Sequence, residues 1–394
     1  MGLDGQRGPV REPAAGADLV QAPDGATNLL QYGAVGRFRR MAALQGEYGE
    51  ALPGVVMQGA ARQRLRRDHR QIGFAQFGAE GVFLEDRRIA PAARTVELEH
   101  ARRRVFHAEP EDAPPRVLKF YRPGRWSDAA ILEEHAFCAE LREADLSVVA
   151  PQALAGRTLH HHAGQRFAVF PLQGGHAPEP ADRAVLQQIG RAIGRLHEVG
   201  ARGRFAYRPI LSIQSHAIAS VDYLLEADWL PPELEANFIA LCEQVVDAIE
   251  DGYEDCGAHA ALRLHGDCHP GNILWRDDAP HFVDLDDAMT GPAIQDLWML
   301  ATGDAAARAE QLRWLLEGYE VFRDFDRRQL HLLEPLRAMR LLHYHAWIAR
   351  RWHDPAFPAA FPWFASPRHW EQVIVQLQEQ LVALREPVLD LSVG

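Results

Sequence analysis

The stretch Leu264-His265-Gly266-Asp267-Cys268-His269-Pro270-Gly271-Asn272-Ile273 sets a dense group of polar side chains between apolar ends. An Asp and an Asn five residues apart on such a loop can face each other across a small space. Phosphoryl transfer uses that pairing: a carboxylate accepts the proton of the acceptor hydroxyl, and an amide oxygen holds a divalent cation. Twelve residues beyond Asn272, the run Phe282-Val283-Asp284-Leu285-Asp286-Asp287 ends an apolar strand in carboxylates and supplies a second hard oxygen ligand. Asp267, Asn272 and Asp284 on neighbouring strand ends therefore fit a Mg²⁺–phosphate site. Two other chemistries are weaker. His265, His269 and Asp267 are zinc-type ligands, yet no distant His/Cys pair completes a tetrahedral set. Cys268 has no paired base to mark it as a nucleophile. Turns also use Asp, Asn, Gly and Pro for geometry alone, but the order and spacing of these two runs make coincidence a poor account.

A polyphosphate needs a cation beside it. Of the 42 basic residues, 41 are Arg and only Lys119 is Lys. Arg replaces Lys freely on a solvated surface but not where a compact ammonium must fit a small space. Lys119 lies in Arg116-Val117-Leu118-Lys119-Phe120-Tyr121, which reads as a strand with Val117, Lys119 and Tyr121 on one face. Val105-Phe106 reads as a strand before it, and a helix over 129–144 follows, capped by Ser127 or Asp128. Strand patterns return at 157–162 and 167–170, with Ala163-Gly164 turning between them, and His160-His161-His162 reads as a solvated hairpin edge. Pro171 and Gly174-Gly175 break the pattern. Helices are then expected at 182–199, 217–227, 232–252, 293–302, 305–322, 328–353 and 367–384, with short strands around polar loops over 262–285. This is an α+β layout of two lobes, with a small, mostly β lobe over 104–171, a helical lobe over 172–394 and a hinge near 171–175.

Composition bounds the partners. A net charge of −12 over 394 residues and a pI near 5.9 disfavour a general nucleic-acid binder or a protein seated on anionic membrane. Four scattered cysteines without a CxxC pair fit a reducing compartment, and neither a span-length apolar run nor a signal-peptide core is present, so the expected location is the cytoplasm. Residues 1–104 differ: they hold 16 Arg against 12 acids, whereas 105–394 hold 42 acids against 26 basic residues. The Arg cluster Arg62, Arg64, Arg66, Arg67 and Arg70 and the short strand pattern Val82-Phe83-Leu84 lie in that first part, which otherwise has no sustained period. The expectation for 1–103 is a poorly ordered or wrongly translated segment that rejoins the true frame near residue 104, with a genuine lineage-specific extension and a basic nucleic-acid arm as the other readings.

These residues resemble a known family. His265-Gly266-Asp267 through Asn272, followed by Asp284, is similar to the catalytic loop and metal-binding Asp of the aminoglycoside phosphotransferase/choline kinase-like group, relatives of protein kinases. Within it the nearer resemblance is to the stress response kinase A family, bacterial Ser/Thr protein kinases. It rests also on Lys119-Phe120-Tyr121-Arg122-Pro123, Ile131-Leu132-Glu133-Glu134-His135, Gly291-Pro292-Ala293, Gln295-Asp296-Leu297-Trp298-Met299 and Glu334-Pro335-Leu336-Arg337-Ala338-Met339-Arg340, and covers 104–390. It implies a two-lobed protein-kinase-like fold, ATP as co-substrate, Mg²⁺ as cofactor and protein Ser/Thr substrates, including the chain itself, handled by a monomer without nucleic-acid or membrane partners. It also implies roles. Asp267 positions the acceptor hydroxyl, Asn272 and Asp284 bind Mg²⁺, and Asp284 is essential to catalysis. Lys119 binds the ATP phosphates and Glu134 orients it; Phe170 to Leu172 meets adenine. Asp296 braces the catalytic loop, with His265 in support, while Asp286 and Asp287 tune the site or cap the next turn.

The chain departs from that family at one place. The flap over ATP carries an Asn-Ser-Tyr-Glu-Asn run before an Arg-Val pair; here Arg104-Val105 is preceded by His100-Ala101-Arg102-Arg103, and no GxGxxG replaces it. Three function classes follow: a Ser/Thr protein kinase, a small-molecule kinase of the aminoglycoside, choline or homoserine type that could use the acidic segment to hold a cationic substrate, and a pseudokinase-like binding module.

Overall fold

The structure is a computed structural model that describes residues 94–97, 104–109, 114–162, 164–179 and 182–391. The Arg cluster at 62–70, the strand pattern at 82–84 and the altered flap residues 100–103 lie outside the described residues. So does the expectation about order or frame for most of the first 103 residues.

Five antiparallel strands form the first sheet: β1 (Arg94–Glu97), β2 (Arg104–Glu109), β3 (Arg116–Tyr121), β4 (His160–His162) and β5 (Gln165–Pro171). Their order is β1-β2-β3-β5-β4, so β3 is central and Lys119 is paired to Val105 on one side and Ala168 on the other. Alternation gives β3 two unlike faces. Leu118 packs with Phe167 and Val169, while Tyr121 packs with Ala168, Leu159 and Ile131 of helix α1 (Asp128–Glu143). Lys119 shares the α1 side. Ser127 caps α1 by accepting from Ala130 N at 3.1 Å.

Beyond residue 171 the chain is mainly helical: α2 (Arg183–Gly200), α3 (Ala219–Glu226), α4 (Pro232–Cys256), α5 (Ala305–Tyr319), α6 (Leu333–Ala349), α7 (Ala356–Ala360) and α8 (Pro367–Arg385). Helix α2 buries the stripe Leu186, Ile189, Ile193 and Leu196. Its crossing with α5 is unusually close because of paired glycines. A Cβ on Gly190 would lie 1.9 Å from Leu315 O, and one on Gly318 would lie 1.9 Å from Gln187 O. Two short ribbons interrupt the helices: β6 (Leu262–Leu264) pairs with β9 (Met289–Gly291), and β7 (Ile273–Arg276) pairs with β8 (Ala279–Phe282).

The helix expected over 293–302 is corrected to two 3₁₀ turns, Ala293–Asp296 and Trp298–Leu300. An α-helix would carry Gln295 and Asp296 around a regular spiral; instead both side chains are buried against the catalytic loop, and tight i→i+3 bonds hold the turns. The 328–353 expectation likewise divides into a 3₁₀ turn (Arg327–Leu332) and α6. All four cysteines are buried free thiols, and among the described residues no helix is long and apolar enough to cross a membrane.

Helix α3 carries one liability. Among the described residues Asp222 Oδ1 is buried without a hydrogen-bond partner, and burial, followed by the nearby Glu226 charge, pushes the carboxyl up to about 6. The folded protein therefore binds a proton that the unfolded chain has lost between about pH 4 and pH 6, so stability falls as pH rises through that window. Asp222→Asn should raise the unfolding free energy at pH 7–8 by about 1 kcal/mol because the group is half-buried, and the gain should vanish near pH 4. Thermal melts of both proteins across pH check this; an equal effect at all pH values would remove the titration argument.

Candidate active site

The loop after β6 is fixed from beneath. Asp296 accepts from His265 N and Gly266 N, each at 2.8 Å, one on each carboxylate oxygen. His197 Nε2 lies 3.1 Å from the same carboxylate, both side chains are fully buried, and His197 Nδ1 accepts from Tyr319 OH at 3.0 Å. Gln295 Nε2 donates to Gly266 O at 2.8 Å, so both backbone groups of Gly266 are held by side chains. Gly266 has φ +84°, and a Cβ there would meet Asp287 O at 2.1 Å. Only glycine permits this turn with the two acidic loops in such close approach. His265 spans them from its ring, donating Nε2–H to Val283 O at 2.9 Å.

This turn presents Asp267. Its Oδ1 accepts from Arg340 Nη1 at 2.7 Å; Oδ2 lies 3.4 Å from Asn272 Nδ2 and 3.5 Å from His269 Nε2. Burial alone would raise the carboxyl, but the His269 hydrogen bond and the Arg340 guanidinium outweigh it and hold Asp267 well below the usual carboxylate range. Asn272 Nδ2 donates also to Asp267 O at 2.9 Å, which turns the amide so that its nitrogen serves the loop and its oxygen is the remaining acceptor.

The β7–β8 hairpin brings the second acidic run alongside. Ile273 is opposite Phe282 in the ladder, and Val283 N donates to Asn272 O at 3.0 Å. Asp284, the next residue, takes a left-handed backbone at φ 64°, ψ 58°. Lys119 Nζ reaches across from the sheet to Asp284 Oδ1 at 3.1 Å and Asp286 Oδ1 at 3.2 Å, and only 8% of the lysine is exposed. The rings of Tyr121 and Phe170 lie 5.4 and 5.9 Å from the ammonium.

Thus the structure shows two side-chain pairs, Lys119 with Asp284 and Asn272 with Asp267, linked by the backbone bond from Val283 N to Asn272 O, with His265 and Asp296 bracing the loop. Glu134 is buried on α1; Cys138 Sγ donates to it at 3.9 Å, and its charge, after burial itself, helps raise the Tyr121 hydroxyl. Leu172 lies just past β5 and is half-exposed; its N–H is donated to Pro115 O at 3.2 Å, so that backbone donor is committed to the sheet margin.

Several participants escaped sequence reasoning. Arg125 pairs with both Asp286 and Asp287, and Arg208 donates to Asp286 O and, at 2.8 Å, to Ala288 O. Both guanidinium groups also meet the Trp126 ring, at 5.1 and 4.2 Å from its centre. Glu133 accepts from three consecutive backbone N–H groups, Ala206, Tyr207 and Arg208, at 2.6–2.9 Å. In a chain with 41 arginines, no spacing singles out Arg125, Arg208 or Arg340. The only available signals were the Glu133 and Arg340 positions within the quoted runs.

The residues fit a divalent cation with its nucleotide. The Asp284 carboxylate and the Asn272 amide oxygen are hard donors on adjacent strand ends. Among the described residues no three His, Cys, Asp or Glu side chains form a metal-holding group. Mg²⁺ characteristically takes one or two protein oxygens and completes its shell with phosphate and water, which matches so sparse a donor set. Lys119→Arg should lower turnover with ATP about 10²-fold, since a planar fork cannot occupy the narrow space between two carboxylates and two rings. Steady-state kinetics at saturating ATP check this; wild-type kcat in Lys119→Arg would remove the role argued for the ammonium.

Comparison with known proteins adds to this geometry. The phosphotransferase enzyme family matches residues 94–333. Stress response kinase A of Escherichia coli (strain K12) is 44% identical over 289 residues, which cover 73% of this chain and 87% of that protein. A Salmonella typhimurium protein named serine/threonine protein kinase RdoA is 43% identical over the same shares. Among solved structures, amicoumacin kinase in complex with AMP-PNP, Ca²⁺ and its ligand superposes with a TM-score of 0.59 at 16% identity, covering 74% of this chain and 88% of that one. A microcompartment-associated aminopropanol kinase gives 0.55 at 16% identity, covering 76% and 95%. The structural likenesses show the fold, the α+β aminoglycoside phosphotransferase/choline kinase-like arrangement.

Proposed function

Because the chain belongs to the phosphotransferase enzyme family, and within it to the stress response kinase A group, we propose that it transfers the γ-phosphoryl group of ATP to Ser/Thr hydroxyls of proteins, its own included, in a cytoplasmic stress response. One observation carries this reading: Lys119, Asp284, Asn272 and Asp267 converge from the sheet, the β7–β8 hairpin and the loop after β6.

The residues divide the work. Lys119 neutralises the nucleotide's phosphates and stays placed between Asp284 and Asp286. Asn272 and Asp284 would hold Mg²⁺, whose charge, when bound, would offset that of the phosphate oxygens. Asp267, kept ionised by Arg340 and His269, orients the acceptor hydroxyl. The hydroxyl oxygen bonds to the γ-phosphorus as the bridging P–O bond breaks, ADP departs with that electron pair, and the hydroxyl proton passes to Asp267. Asp296 and His197 keep the loop in the geometry this requires.

The test is the purified full chain with γ-labelled ATP and Mg²⁺. Label on the chain and on Ser or Thr of an added protein is expected. Transfer only to small hydroxyl compounds would overturn the protein-kinase reading, and a folded protein without any turnover would overturn phosphoryl transfer, leaving the binding module.

A further inference from the structure

The run Glu334 to Arg340 belongs to the sequence pattern of this chain, yet the proposed reaction uses only its last residue. The structure shows what the rest builds. A cavity of about 400 Å³ opens beside the catalytic loop, lined by His269, Trp298, Thr302, Arg308, Arg337 and Arg340 among others. His269 and Arg340 are two of the side chains that touch Asp267, with Asn272 the third, so the cavity opens beside that carboxylate. Arg337 and Arg340 project from the same side of α6, three residues apart, and Arg308 comes from the first turns of α5.

Its charge runs against that of its surroundings. Residues 105–394 carry 16 more acids than bases, but among the described residues no Asp or Glu lines this cavity. Behind the wall, Glu334 meets both Arg337, at 3.0 Å, and Arg308, at 3.5 Å, so one carboxylate is shared by two guanidinium groups. Gln380 Nε2 donates to that same carboxylate at 2.9 Å. The arginine side chains stay 21–46% exposed, so their heads remain within reach of a ligand. A guanidinium binds carboxylate and phosphate in bidentate fashion, whereas an ammonium-bearing acceptor would be repelled here.

We infer that the acceptor is an acidic polypeptide segment, its Ser or Thr hydroxyl at Asp267 and its flanking carboxylate or phosphate side chains seated between Arg308 and Arg337. This rests on the kinase reading above and names the substrate class of that site. It also removes the ground for a cationic acceptor drawn from the net charge of 105–394, because the charge beside Asp267 has the opposite sign.

The test uses the full chain with ATP and Mg²⁺ and three peptides sharing one Ser core, flanked by Asp/Glu, by Ala or by Lys/Arg. The wild type should show kcat/KM at least about tenfold higher for the acidic peptide than for the basic one, a preference that shrinks as salt rises. The Arg308→Glu/Arg337→Glu double variant should change the acidic-to-basic ratio about 100-fold and invert it, chiefly through KM. Should that protein unfold, Arg308→Gln/Arg337→Gln should bring the ratio near unity in a folded protein. A wild type that prefers the neutral or basic peptide, or a double variant that lowers all three peptides equally, overturns the inference. Labelling of free glycerate with no labelling of any peptide leaves a kinase and overturns the acidic polypeptide. No transfer to any peptide or to the chain itself overturns the kinase reading, and this inference with it.

Discussion

Asp267→Ala should lower phosphoryl transfer by about 10³-fold while leaving the protein folded. The size follows from the group removed: a positioned acid–base side chain contributes roughly 10²–10⁴-fold. The fold should survive because Asp296 and Gln295, not this carboxylate, hold the backbone of the turn, although a carboxyl held low in the folded protein takes some stability at neutral pH with it. The pair with Arg340, whose side chain is 46% exposed, contributes about 0–1 kcal/mol of that. Asn272 loses the long 3.4 Å contact but keeps Asp267 O at 2.9 Å, a backbone acceptor that the substitution leaves in place. The KM for ATP should stay within about threefold, since the Lys119–Asp284 pair is kept in the variant. Kinetics and a thermal melt of the same preparation check this. Retained autophosphorylation at the wild-type rate would sink the assignment of Asp267.

How much of this could be read from the amino acids differs by the kind of signal. Lys119 was legible twice over, by the period of its strand and by being the single lysine, and the structure puts it on the central strand facing α1. The helix after it was legible because Ser127 and the apolar spacing are local signals. The 293–302 segment was misread for the opposite reason. Its apolar residues fit a helical spacing, but the conformation is set by Gln295 and Asp296 reaching residues about 30 positions away, and no local pattern encodes that demand. Arg125 and Arg208 are hidden by composition, since a residue type used 41 times carries little information at any one position until the fold supplies its neighbours, whereas Arg340 at least falls in a quoted run. Asp286 stood between tuning the site and capping a turn. In the structure it takes Lys119 at 3.2 Å and also pairs with Arg125, a contact 161 residues apart in the chain. The spacing of Asp267, Asn272 and Asp284 was informative because the three lie on consecutive short elements, where separation in sequence still limits separation in space.

Asp296 makes the complementary case, a residue whose loss should cost stability and activity together. Its carboxylate is the acceptor for His265 N–H, Gly266 N–H and His197 Nε2–H, all in a fully buried setting. Alanine leaves those donors without that acceptor and too little room for water to replace it. Each buried donor so stranded costs about 1–3 kcal/mol, and the set together about 3–5 kcal/mol after relaxation. For a chain of this size that lowers the unfolding midpoint by roughly 10 °C. Activity falls as well, even well below the new midpoint. Gly266 at φ +84° is held on both sides only through Asp296 and Gln295, and Asp267 is the next residue. A displacement of about 1 Å there costs on the order of 10²-fold in rate. Asp296→Asn separates the two contributions. It keeps the volume and one acceptor oxygen but turns an NH₂ towards a backbone N–H, so its midpoint should lie between wild type and alanine, with a rate still reduced. Melts and kcat at 15 °C for the three proteins check the ordering. A wild-type midpoint and rate in Asp296→Ala would show that the turn holds its shape without this carboxylate, and the brace would have to be sought in Gln295 and in the ring of His265 against Val283.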